Sequence, residues 1–227
     1  MIDNLSMGFD VYKVLMSIIP LIFAITVHEA AHGWMAKRCG DNTAFLSGRI
    51  TLNPKSHIDP IGTILVPILT YFLAGITFGW AKPVPVNYAY LKNPKKDIAW
   101  VAVAGPLSNF IMAFIWTIIL SISLILSAYT DLALIDGIKV MSQLGIVINT
   151  SFMILNLIPI LPLDGGRILG QFLPFPLSQK YQATEQYGSF IVMGLAILGI
   201  LGFIMKPFVM LFNGLFLSFM SLIVSIF

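Results

Sequence analysis

Two histidines and a glutamate, in His28-Glu29-Ala30-Ala31-His32, have the most informative spacing in the sequence. Four residues apart on an α-helix, the two imidazoles share one face and can reach one ion. Glu29 is turned by roughly 100° from His28, out of direct chelation but near a water on that ion. Zinc lowers the pKa of such a water to about 7, and a carboxylate can take the proton as the oxygen attacks a carbonyl. The pattern points to metal-assisted hydrolysis. Only three histidines occur in the chain, and two of them fall here. Their helix is largely apolar, and ionisable groups in such a setting are costly and usually functional.

A catalytic zinc takes three protein ligands, so one more must come from elsewhere. His57 and Asp164 are the candidates. Asp164 closes the apolar stretch 156–164, where Pro159 and Pro162 interrupt the helix and Gly165-Gly166 permit sharp turning. Irregular backbone at membrane depth is tolerated only where it is buried in protein or lines a cavity. That favours Asp164 in a site over Asp164 paired with Arg167 at the interface. His57, with Asp59 nearby, is read as a loop-stabilising histidine, with a substrate-facing group or second metal contact as the alternative. The single cysteine, Cys39, excludes an internal disulfide and a Cys-rich cluster.

The elements that must position these groups are membrane helices. The 227 residues are 58% hydrophobic and 10% charged, with a mean hydropathy of +0.91, too apolar for a soluble domain of this size. Charge-free stretches at 60–81, 98–130, 144–163, 186–205 and 207–227 are long enough to cross a bilayer. A further helix runs from about residue 10 to 38 and carries the motif. No basic stripe interleaved with aromatics suggests nucleic acid. No cleavable signal peptide is visible.

Basic residues gather in 37–59 and 82–97, whereas the first ten residues and 131–143 are poor in them. The positive-inside rule then puts the N-terminus outside and both basic segments in the cytoplasm. Segment 60–81, flanked by base on both sides and rich in Pro and Gly, reads as a re-entrant hairpin, with an ordinary span as the alternative. Under the hairpin reading, the ends carrying His32, Gly105 and Asp164 meet at one depth, open to the cytoplasm. Ile50-Thr51-Leu52 is β-prone, so 46–52 is expected as a short β-like loop.

The residues resemble a known family. His28–His32 and Asn156–Gly166, with Gly105-Pro-Leu-Ser-Asn109 between them, look like the three motifs of the site-2 protease family of intramembrane zinc metalloproteases. The stretches 48–53, 57–62 and 78–85 resemble its compact bacterial branch. The resemblance implies one zinc on His28, His32 and Asp164, with Glu29 as general base and Asn156 suspected at the oxyanion. Asn109 either glues helices together or contacts substrate. It further implies a cell-membrane protease acting on membrane-protein segments. No PDZ or CBS domain fits, so residues 1–227 read as one all-α polytopic domain of about five transmembrane helices plus the re-entrant segment. A transporter or channel is disfavoured by the scarcity of intramembrane polar groups, and a silent zinc scaffold by the intact Glu29.

Overall fold

The computed structural model describes residues 11–66, 79 and 81–226. The described residues open with α1 (Val11–Cys39), which at 29 residues rises about 43 Å and carries the paired histidines in its second half. A short α2 (Thr43–Leu46) follows. The long α3 (Pro94–Ser127) starts with proline at its first turn, where the missing N–H costs nothing. α4 (Ala133–Leu157) ends as Ile158 turns extended ahead of Pro159, a residue that disfavours helix at the position before it. Short helices α5 (Asp164–Phe172) and α6 (Phe175–Gln182) come next, the break between them falling before Pro174. α7 (Glu185–Ile197) and α8 (Ile200–Val224) complete the order.

Four of these helices, α1, α3, α4 and α8, are long and apolar enough to cross a membrane. The protein is an all-α, multi-pass membrane protein. Two expected spans are redrawn. The break predicted at Lys206-Pro207 lies instead at Gly199, whose φ of +71° suits a glycine. Pro207 sits inside α8, as bilayer helices allow. At 13 residues, α7 rises about 20 Å, short of the roughly 30 Å hydrocarbon core.

The expected β-like loop also differs. Residues 46–52 are turns and bends, and no strand occurs among the described residues. The β-prone run has no neighbouring strand, and Thr51 O meets the His57 ring instead (3.0 Å). Of the expected re-entrant segment 60–81, most falls outside the described residues. Its entry is a π-helical turn, Pro60–Leu65, capped by Asp59. Lys82 N donates to His57 O at 2.9 Å, so the chain returns to the point where it left.

Helices α1, α3 and α4 pack together as the bundle core, with α8 laid across α3 and α4. Ala113, Trp116, Leu120 and Ile146 meet Phe216 of α8 there. Elsewhere polarity is inverted: Asn109, Thr117, Ser121, Ser142, Asn149 and Thr150 are fully buried, while Phe203, Phe208, Leu211 and Leu215 face outward. Such a surface suits lipid, where an outward Leu loses nothing and an outward amide would.

Candidate metal centre

His28 and His32 project one turn apart from α1, and Asp164 enters as the first residue of α5. The two Nε2 atoms stand 3.0 Å apart. Asp164 Oδ2 lies 3.2 Å from His28 Nε2 and 3.4 Å from His32 Nε2. Zinc bonds of about 2.0–2.1 Å in tetrahedral geometry require ligand atoms about 3.3 Å apart. The triangle matches.

The outer nitrogens fix what the inner ones can do. His28 Nδ1 faces Asn109 Oδ1 at 2.6 Å, and His32 Nδ1 faces the Val101 carbonyl at 2.7 Å. Both partners are acceptors, so each Nδ1 carries a proton and, in the neutral ring that binds a metal, each Nε2 keeps its lone pair. Asp164 Oδ2 is buried with no hydrogen-bond donor. Three electron-rich atoms therefore converge on one point, an arrangement that calls for a cation between them. Gly105 of α3 borders that point: a Cβ there would lie 2.5 Å from His32 Nε2 and 2.6 Å from His28 Nε2. The donor set and the space left by Gly105 fit a single metal ion.

Glu29 faces the same cavity of about 480 Å³, which Asn156 and Arg167 also line. Its Oε2 accepts from the Val84 amide at 2.8 Å. Val84 can offer that amide because Lys82-Pro-Val-Pro-Val86 is in neither helix nor strand: each proline fixes its own φ and disfavours helix in the residue before it. Arg49 Nη2 holds this segment from the side, donating to Lys82 O (2.8 Å) and Pro83 O (3.2 Å). Asp41 holds its far end, accepting from Asn87 N at 2.7 Å. Burial pushes the Asp41 carboxyl up, but the Thr43 hydroxyl, the Thr43 amide and the Asn87 amide outweigh it and hold it below the usual range.

The remaining expected residues are placed as follows. Asn109 is fully buried between helices, with Nδ2 donating to Ala24 O (3.1 Å) and Asn149 Oδ1 (3.0 Å). Asn156 lines the cavity, while its Nδ2 donates back to Phe152 O at 3.0 Å. His57 stands apart from the triangle, buried in the loop, where its ring faces Thr51 O. Arg167 does not pair with Asp164. It donates to Tyr88 OH (2.6 Å) and to Glu185 Oε1 (3.0 Å). Arg49 was read only as one of the basic residues of 37–59 and Val84 only as part of 78–85, and Asp41 and Asn149 were not singled out. The Pro-x-Pro run was the available sign for Val84, and Asn149, two turns before Asn156, for a polar face on α4.

A model of peptidase family M50 matches residues 16–132 and 122–199. The chain belongs to peptidase family M50. "Putative zinc metalloprotease YwhC" of Bacillus subtilis (strain 168) is 36% identical over 190 residues, 84% of each chain. "Putative zinc metalloprotease Rip2" of Mycolicibacterium smegmatis is 28% identical over 179 residues, 78% of this chain and 64% of that one. The protein of the same name from Mycobacterium tuberculosis (strain H37Rv) is 28% identical over 170 residues, 73% and 60%. No solved structure matches the chain. Membership makes the chain a membrane metalloprotease of the M50, or site-2 protease, family.

Proposed function

We propose that this M50 chain is an intramembrane protease that cleaves peptide bonds within or beside transmembrane segments of membrane-protein substrates. It would hold one zinc on His28 Nε2, His32 Nε2 and Asp164 Oδ2. The observation that carries the reading is the 3.0–3.4 Å triangle of those atoms, with both outer nitrogens already engaged. Bound there, zinc acidifies a water and polarises the scissile carbonyl. Glu29, adjoining His28 and lining the cavity, takes the proton from the attacking water and returns it to the leaving amine. The Val84 amide keeps the Glu29 carboxylate turned into the cavity. Asn156, facing that cavity from α4, is the candidate donor to the developing oxyanion once its amide turns from Phe152 O.

Substrate helices must unwind locally to be cut, because a helical amide is shielded by its own hydrogen bonds. The basic segments around 37–59 and 82–97 support an opening toward the cytoplasm, with the N-terminus outside. The test uses purified protein in detergent or liposomes with a single-span substrate. Glu29→Gln is expected to bind one zinc and lose cleavage, and Asp164→Ala to lose the zinc. Full zinc occupancy in Asp164→Ala would remove that residue from the site. Solute flux surviving Glu29→Ala, with no metal bound, would favour a transporter instead.

A further inference from the structure

His28 can bind a metal through Nε2 only if its proton sits on Nδ1, and that depends on which end of Asn109 faces it. With Oδ1 toward the ring, Nδ1 is the donor and Nε2 is free. With the amide reversed, an NH2 group would face Nδ1. The imidazole proton would then move to Nε2, pointing into the space where the ligand atoms converge. The His28 ring cannot choose between the two states. The choice is made on the far side of Asn109.

Asn109 Nδ2 faces two acceptors there: the Ala24 carbonyl of α1 at 3.1 Å and Asn149 Oδ1 of α4 at 3.0 Å. Asn149 is oriented in turn, because its own Nδ2 donates to the Gly145 carbonyl at 2.9 Å. A main-chain carbonyl accepts only, so each amide in the series is fixed by the next. The series runs from Gly145 O through Asn149 and Asn109 to His28 and crosses three helices. Both asparagines are fully buried, so no water competes for their polar atoms. Of the two acceptors that orient Asn109, Ala24 O belongs to the main chain, and Asn149 is the one built from a side chain.

We infer that Asn149 is a positioning residue for the metal centre: it holds the Asn109 amide in the orientation that puts the His28 proton on Nδ1. This rests on the reading that His28, His32 and Asp164 take the zinc. Losing a partner behind a metal-bound histidine costs about 10–100-fold in metal affinity. Because Ala24 O remains, Asn149→Ala belongs at the lower end, about tenfold.

The experiment is zinc titration against a chromophoric chelator for wild type, Asn149→Ala, Asn109→Ala and the double variant, with Asp164→Ala alongside. Expected are a roughly tenfold loss for Asn149→Ala, a larger loss for Asn109→Ala, and a double variant no weaker than Asn109→Ala alone. Wild-type affinity in Asn149→Ala, or losses that multiply in the double variant, would overturn the relay. Full zinc binding by Asp164→Ala would instead overturn the ligand assignment, a separate failure. A second measurement needs no variant of Asn149. Nitrogen NMR of metal-free wild type carrying labelled histidine, with His28 assigned by its loss in His28→Gln, should show the proton on Nδ1. A bare Nδ1, with the ring's proton on Nε2 alone, refutes the inference.

Discussion

Replacing Gly105 with alanine adds one methyl group where α3 packs directly against the paired histidines of α1. The new carbon would lie 2.5 Å from His32 Nε2 and 2.6 Å from both Nε2 and Cε1 of His28, against an ordinary contact of 3.4 Å or more. The overlap is thus 0.8–0.9 Å (3.4 minus 2.6 or 2.5) at three atoms. Neither ring can swing away freely, because Asn109 and the Val101 carbonyl hold their outer nitrogens. Overpacking of this kind costs about 1–3 kcal/mol, which is roughly a 5- to 160-fold loss in zinc affinity if borne by the metal centre. Gly202 is the control. It lies in α8 with nothing within 4 Å of its Cβ direction, so Gly202→Ala should be neutral or more stable by up to about 1 kcal/mol. Chelator competition gives the affinity and thermal melting gives the stability. A Gly105→Ala protein that binds zinc and melts like wild type would refute the close approach of α3 to the histidines.

Two further outcomes follow from the segment beside Glu29. Arg49→Ala should leave zinc binding intact and lower cleavage on the order of tenfold, with partial recovery in Arg49→Lys, since the Lys82 and Pro83 carbonyls lose their clamp. Equal turnover in all three forms would contradict it. Asp41 has a folded pKa below its unfolded value of about 3.9, so its stabilisation is present above that value and lost as pH falls through the folded one. Asp41→Asn should therefore melt below wild type at pH 7 and converge on it below about pH 4. A gap that is constant from pH 7 to 3 would count against the carboxylate.

Local chemistry was legible and tertiary contact was not. His28, Glu29 and His32 could be read because a helix alone brings positions i and i+4 together. Asp164 is 132 positions beyond His32, and only its Pro and Gly surroundings and the family resemblance pointed to it. Asn109 was expected either as glue or at the substrate; in the structure both ends of its amide are engaged within the bundle. The break between the last two helices was drawn at the charge of Lys206, whereas the left-handed Gly199 ends the helix and Lys206 and Pro207 both sit inside α8. Arg49 and Asp41 act through main-chain atoms more than thirty positions away, and no periodicity encodes such pairings.

The grip on Glu29 has an unusual genetic property. Pro83 and Pro85 carry no N–H, so Val84 supplies the sole amide among those three residues, and Glu29 takes it. Because that contact is written in the main chain, a side-chain scan of residue 84 would report the packing of an isopropyl group and pass over the hydrogen bond altogether. Random mutation reaches it only through proline. Replacing the Val84 amide with an ester by chemical synthesis would expose the bond while leaving every side chain in place.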